Sequence, residues 1–283
     1  MPLSERRKSH MIEDIILRRS GRGMDILRKH MPENFCEKAA HALLALPKGT
    51  ILLATGFYVN GFAETDGPLG THVLSSALKK LGYHPVIVTD ILCSEYFESE
   101  GLEVRYVPLD AGLLYFTDML QRERPAGMIS IERCGRNAQN DYVNMRGISI
   151  RGHTAPIDLL FDLAQELRIP AWGIGDGGNE IGMGNLKDVI SENLFLSPCI
   201  NKVDYLIIAT VSNWGAFGLA AYLEKLTGRQ VFPSYQEMRS FLKRTVALGS
   251  IDGILKTHTC TVDGFSAETE KEIVDALYDS LSI

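Results

Sequence analysis

The segment Gly175-Asp176-Gly177-Gly178-Asn179-Glu180-Ile181-Gly182-Met183-Gly184 packs five glycines around two carboxylates and an amide. Glycine is used where the backbone must turn at positive φ or let a ligand come close. The polar groups then suggest acid/base work by Asp176 and Glu180, with the amides of Gly177 and Gly178 and the side chain of Asn179 facing a substrate. A dinucleotide fingerprint is excluded, because there the acidic residue lies roughly 20 positions downstream instead of inside the loop. Other clusters share this character. Thr55-Gly56 leads to Glu64-Thr65-Asp66-Gly67-Pro68, and Glu132-Arg133 is followed by Asn140, Asn144, Arg146 and Arg151. Ser212-Asn213 closes the series. Glu132 is an alternative proton carrier, while the planar forks of Arg133 and Arg146 suit carboxylates. Thr55, Gly56, Asn140, Ser212 and Asn213 complete the expected substrate-binding set. Glu64 and Asp66, with Asp176 as an alternative partner, offer hard oxygen ligands to Mg²⁺ or Mn²⁺. They could equally be first-turn acids favoured by a helix dipole. The turn around Asp176 and Glu180 could likewise be braced by those carboxylates alone.

The elements that must position these groups alternate between apolar strands and amphipathic helices. Strands are expected at 50–55, 85–89, 103–107, 126–131, 171–174 and 204–210. Helices are expected from Pro68, over 94–99 and 113–122, from Pro156, and over 214–226, 235–247 and 267–281. Ser212 or Asn213 is the expected cap of the 214–226 helix. Apolar strands joined through helices predict a Rossmann-like, doubly wound α/β fold, its mainly parallel sheet of about six strands covered by helices on both faces. Residues 1–283 read as a single domain, with a helical segment over 1–45 and C-terminal helices over 230–283. In such sheets ligands bind beyond the carboxyl ends of the strands, where the polar clusters all fall.

Composition narrows the function. The 283 residues carry a formal net charge of −6, which argues against nucleic acid as a partner. Arg6, Arg7, Lys8, Arg18, Arg19 and Arg22 form the one basic cluster, read as a solvated helix face. No apolar run is long enough for a membrane span, and the start lacks a secretory pattern. Five dispersed cysteines fit reduced thiols and a cytoplasmic location. The seven histidines show no ligand spacing and read as surface or capping residues, with His153 in a more interesting segment. A small-molecule substrate, an amino acid or dicarboxylate, suits the mixture of acids and arginines. A homo-oligomer is compatible with the sequence.

Taken together and in order, Glu64-Thr65-Asp66-Gly67-Pro68, Ile131-Glu132-Arg133, Asn144-Met145-Arg146-Gly147 and the 175–184 loop resemble the D-glutamate cyclase C-terminal domain family. The resemblance covers about Met11 to Leu281, and the chain reads as a free-standing short member. It implies a Rossmann-like fold and, as in mitochondrial two-domain members, conversion of D-glutamate to 5-oxo-D-proline with loss of water. In that reaction Asp176 and Glu180, or Glu132, would carry protons and Arg133 and Arg146 would hold carboxylates. The loop amides or Asn179 would stabilise the oxyanion, and Ser212 and Asn213 would hold the amine or α-carboxylate. Two other classes fit the same residues: a nucleotide- or phosphate-ester-processing Rossmann-type enzyme, and a non-catalytic ligand-binding domain.

Overall fold

A computed structural model describes residues 11–281. Arg6, Arg7 and Lys8 of the basic cluster lie outside the described residues. Three short helices lead in: α1 (Ile12–Ile16), α2 (Met24–Leu27) and α3 (Phe35–Leu44). They are followed by β1 (Thr50–Ala54), the two-stranded antiparallel pair β2 (Tyr58–Val59) and β3 (Phe62–Ala63), and α4 (Pro68–Lys80). Next come β4 (His84–Thr89), β5 (Glu103–Tyr106), α5 (Leu113–Glu123) and β6 (Gly127–Ile131). The chain continues with α6 (Asp158–Leu167), β7 (Ala171–Gly175), α7 (Lys187–Asn193) and β8 (Tyr205–Ile208), then α8 (Ser212–Thr227), α9 (Tyr235–Ala247) and α10 (Ala267–Leu281).

Six strands pair in parallel in the order β5-β4-β1-β6-β7-β8. This is the doubly wound α/β arrangement, with the chain reversing direction between β1 and β6. The period-two alternation of strand side chains divides the core in two. Ile51, Leu53, Ile87 and Ile129 face the larger cluster, shared with α3, α4 and α8. Leu52, Ala54, Val86, Val88 and Met128 face a smaller one, shared with α5 and α6. Buried on both faces over most of their length, these strands are largely apolar, which is why they read as nearly continuous hydrophobic runs.

Two local expectations change. The 94–99 helix is replaced by short 3₁₀ turns over Ile91–Cys93 and Glu98–Glu100. Ser212 and Asn213 do not cap α8 from outside. The helix begins at Ser212, with Val211 in the extended cap position, so both side chains are released for other partners. In the N-terminal region, Glu13 is fully buried. Its carboxylate accepts the N–H groups of Cys36 and Glu37, each at 3.1 Å, and the Tyr222 hydroxyl at 2.6 Å. It thereby satisfies first-turn donors of α3 and ties that helix to α8.

Candidate active site

The crevice between β1 and β6 is where a doubly wound sheet accepts a ligand, and the acidic residues converge there. Glu132 follows β6 directly. Its φ of 46° is left-handed, an uncommon conformation for a non-glycine residue that costs about 1–3 kcal/mol. Strain of this kind at a strand end is common where a side chain must be aimed at a site. Its Oε2 accepts the Ser212 hydroxyl at 2.5 Å. Asp66 comes from the loop before α4. Its Oδ1 accepts the N–H of Gly67 at 2.9 Å and of Asn213 at 2.7 Å, and its Oδ2 accepts the N–H of Ser212 at 2.9 Å. Gly67 itself has φ 92°. An added Cβ there would meet Thr55 Oγ1 at 2.8 Å and Glu132 Cβ at 2.9 Å, so only glycine lets this turn close. Asp176, at the end of β7, receives the Ser212 N–H at 3.2 Å. Asp66, Glu132 and Asp176 each place a carboxylate oxygen within 4.8 Å of the others.

Asn213 braces this floor. Its Oδ1 accepts the N–H of Gly67 at 2.9 Å and of Gly70 at 2.7 Å, and its Nδ2 donates to Thr65 O at 3.1 Å. Ser212 and Asn213 therefore hold carboxylates and the preceding loop in place, leaving them little capacity for the substrate contact expected of them.

A cavity of about 490 Å³ opens above the floor. Glu64, Glu132, Asp176, Asn179, Glu180 and Arg146 line it, as the sequence led one to expect. Arg22, Lys256 and Asp263 also line it, and none of these stood in the expected set. The guanidinium of Arg22 bonds Asp176 Oδ2 at 2.5 Å, Asp263 Oδ2 at 2.5 Å and Thr210 O at 3.0 Å. The solvated helix face expected for Arg22 is thus corrected: Arg22 lies between α1 and α2, with φ 49°, and turns inward, while Arg19 stays exposed and pairs with Glu272. Lys256 and Asp263 arrive on a C-terminal loop organised by buried Asp252. One oxygen of Asp252 accepts the N–H of Ile254 and of Leu255 at 2.8 Å, and the other accepts the Gly264 N–H at 2.9 Å. The loop runs beside the residues before α4, with Thr65 N–H donating to Ile251 O at 2.8 Å.

Several expected residues have other positions. Arg133 is fully buried behind the site. Its guanidinium bonds Asp90 at 2.7 Å, Gly56 O at 2.6 Å and Ala155 O at 2.7 Å, so it cross-links the loops instead of presenting a fork to substrate. Thr55 and Gly56 support that cross-link from below. Asn140 is exposed and away from the cavity, its carbonyl accepting from Arg151. Gly177 and Gly178 shape the turn, and the Gly178 N–H goes to Glu180 Oε2 at 2.7 Å. Asn179 donates through Nδ2 to Val143 O at 2.7 Å, which commits one of its two N–H bonds. The expected metal pair also changes partners: Asp66 sits with Glu132 and Asp176, while Glu64 stands further out on the cavity wall. Cys134 is buried, and burial pushes its thiol up. Of the histidines, His72 is a core residue stacked on Phe241, and His153 stacks on Tyr58 at 4.3 Å beside the cavity.

The carboxylates differ in electrostatic support. Burial pushes Glu132 well above the usual range, and the nearby charges of Glu180, Asp66 and Glu64 push the same way. The Ser212 hydroxyl opposes the shift. Glu180 is raised by burial too, but N–H groups of the glycine-rich loop and the charge of Arg22 oppose the shift. Asp176 is raised by burial against the pull of Arg22. Asp66 is pushed up to about 7 by burial and by Asp263, against the N–H groups it accepts. Two carboxyl groups held at different readiness to ionise on one cavity can divide acid and base tasks.

The family model described as D-glutamate cyclase-like, C-terminal, matches residues 12–278. The human protein D-glutamate cyclase, mitochondrial, is 28% identical over 247 residues, covering 74% of this chain and 40% of its own length. The chain thus spans less than half of that curated relative. A solved UDP-GlcNAc 2-epimerase from Methanocaldococcus jannaschii is 13% identical and aligns with a TM-score of 0.34, over 71% of this chain and 49% of its own. Among the described residues, no helix is long and apolar enough to cross a membrane.

Proposed function

The chain belongs to the D-glutamate cyclase-like, C-terminal family, and from that premise we propose that it is a lyase closing D-glutamate to 5-oxo-D-proline with release of water. The observation that carries this reading is the pairing of Glu132 with Glu180 on one cavity. Glu180 accepts an amide N–H at 2.7 Å and is the group better supported as an anion. It takes a proton from the substrate ammonium. The freed amine attacks the γ-carboxyl carbon, a C–N bond forms, and the second nitrogen proton passes to a γ-oxygen, which becomes the hydroxyl of a tetrahedral centre. Glu132, kept protonated by burial among other acids, delivers its proton to the departing hydroxyl, the C–O bond breaks and water leaves. Asp176, paired with Arg22, keeps negative charge in the floor. Proton carriers placed this way typically contribute about 10²–10⁴-fold each.

A divalent cation would have to share Asp176 with the Arg22 guanidinium. It would also compete for oxygens of Asp66 that three main-chain N–H groups already hold. The floor therefore fits Mg²⁺ or Mn²⁺ poorly, and no step is routed through one. A phosphate ester fits no better, since carboxylates dominate the inner wall.

The direct test is incubation with D-glutamate and chromatography for 5-oxoproline, with and without a chelator. Product that survives chelation and drops about 10²-fold or more in Glu132→Gln and Glu180→Gln supports the reading. Absence of product from folded protein, with or without added Mg²⁺ or Mn²⁺, overturns it.

A further inference from the structure

The cavity has a polarity that a proton-carrying pair does not by itself require. Its inner wall offers acceptors: the carboxylates of Asp176 and Glu180, with Asn179 beside them. The orientation of the Asn179 amide is set by Val143 O, which needs a donor and takes Nδ2 at 2.7 Å. Oδ1 is left as the free end. Asn179 is 2% exposed, and Oδ1 has no hydrogen-bond partner. A buried acceptor without a donor is costly, and such groups in native proteins ask for a partner that binds. The charge balance asks for the same thing. Besides the proton-donating Glu132, four acids line the cavity, Glu64, Asp176, Glu180 and Asp263, against the cations Arg22 and Lys256. Arg22 already shows that this floor seats a cation, through Asp176 and Asp263. At the rim the character reverses. Arg146 lines the cavity, is exposed and, among the described residues, takes part in no ion pair.

We propose that Asn179 Oδ1, together with Glu180, receives the ammonium group of the substrate, and that Arg146 takes a carboxylate at the outer end. The site then selects its ligand first by the amine and second by the α-carboxylate. Recognition through acceptors that would otherwise stand unpaired gives strong rejection of an analogue lacking the donor. This inference rests on the amino-acid reading of the site, and it inverts the oxyanion role that the sequence suggested for Asn179.

Calorimetric titration with three probes tests it: D-glutamate, glutarate (no amine) and 4-aminobutyrate (no α-carboxylate). On the wild-type protein, glutarate is expected to bind roughly 10- to 100-fold more weakly than D-glutamate, the range for a lost hydrogen bond to a charged group. Asn179→Leu is expected to weaken D-glutamate by a similar factor and leave glutarate unchanged. Arg146→Gln is expected to weaken D-glutamate and glutarate but not 4-aminobutyrate. Glutarate binding within about threefold of D-glutamate overturns the proposal, as does equal weakening of both by Asn179→Leu or failure of all three probes to bind. The wild-type comparison and the exposed Arg146 position decide the matter even if Asn179→Leu does not fold. Measuring 5-oxoproline in the same preparations separates the two ideas. Amine discrimination without product refutes the cyclase reading alone, and product without amine discrimination refutes this proposal alone.

Discussion

Replacing Arg22 with glutamine should destabilise the protein in a pH-dependent way. The guanidinium reaches two carboxylates at 2.5 Å, and their side chains are only 2% and 6% exposed, against 25% for Arg22 itself. Removing one partner of a buried pair strands the other as an uncompensated charge, at about 3–5 kcal/mol. The partial exposure of Arg22 lowers that figure to about 2–4 kcal/mol near pH 8. Burial already raises Asp176, and Arg22 opposes that rise, so the variant moves Asp176 further up. A carboxyl whose folded pKa exceeds its unfolded value of about 3.9 favours the fold most below that value. That contribution is lost as pH rises through the folded pKa. The penalty of Arg22→Gln should therefore shrink as pH falls, by about 1 kcal/mol or more between pH 8 and pH 5. Urea denaturation at the two pH values, with m-values compared to establish two-state behaviour, measures it. Arg22→Lys, which keeps the charge but loses the fork, should recover part of the loss. A destabilisation below about 0.5 kcal/mol at pH 8, the usual range for an unremarkable surface change, would refute the reasoning. So would an equal loss at both pH values.

Three further outcomes follow from the same geometry. Asn213→Ala leaves Gly70 N–H and Thr65 O without their buried partner and Gly67 N–H with Asp66 alone, and thermal or urea unfolding should show a loss of about 2 kcal/mol or more. Burial pushes Glu270 on α10 up to about 7, with Arg239 3.5 Å away. Stability should therefore decline as pH rises from about 4.5 through 7, by about 3 kcal/mol at most, and melting curves of Glu270→Gln should show a flatter pH dependence. Activity on D-glutamate should fall on the alkaline side as Glu132 loses its proton, because burial places that loss well above the usual carboxyl range. A rate profile in which Glu132→Gln retains the same alkaline limb would contradict the assigned role.

Much of this arrangement was legible in the chain. Apolar runs mark the central strands, since burial on both faces leaves few polar positions in them, whereas the edge strand β5 keeps Glu103 and Arg105. The polar loops at their ends follow from the rule that strand termini carry function. Glu64, Asp66, Glu132, Asp176 and Glu180 all fall in such loops. Arg22, Lys256 and Asp263 do not follow strands and could not be found in that way. Their local signals were slight: glycines on both sides of Arg22, and an Asp-Gly turn at Asp263. Arg133 misled for a different reason. An arginine after a strand suits a substrate carboxylate and a buried loop cross-link equally well, and only the position of Asp90 decides between them. The inward turn of Ser212 and Asn213 depended on where α8 begins, a boundary that propensity sets to within a few residues.

The Arg22–Asp263 contact joins residues 241 positions apart, and this has a kinetic consequence. Contacts of such separation require closure of a very long loop before they form. On a ribosome Arg22 would emerge long before Asp263 is made. The floor would then hold its buried acids without one side of the clasp until the C-terminal loop docks. Interactions that form after the folding barrier govern unfolding rates more than folding rates. On that basis the clasp should act as a late lock, with its loss shortening the lifetime of the folded molecule while leaving the speed of its assembly almost unaltered.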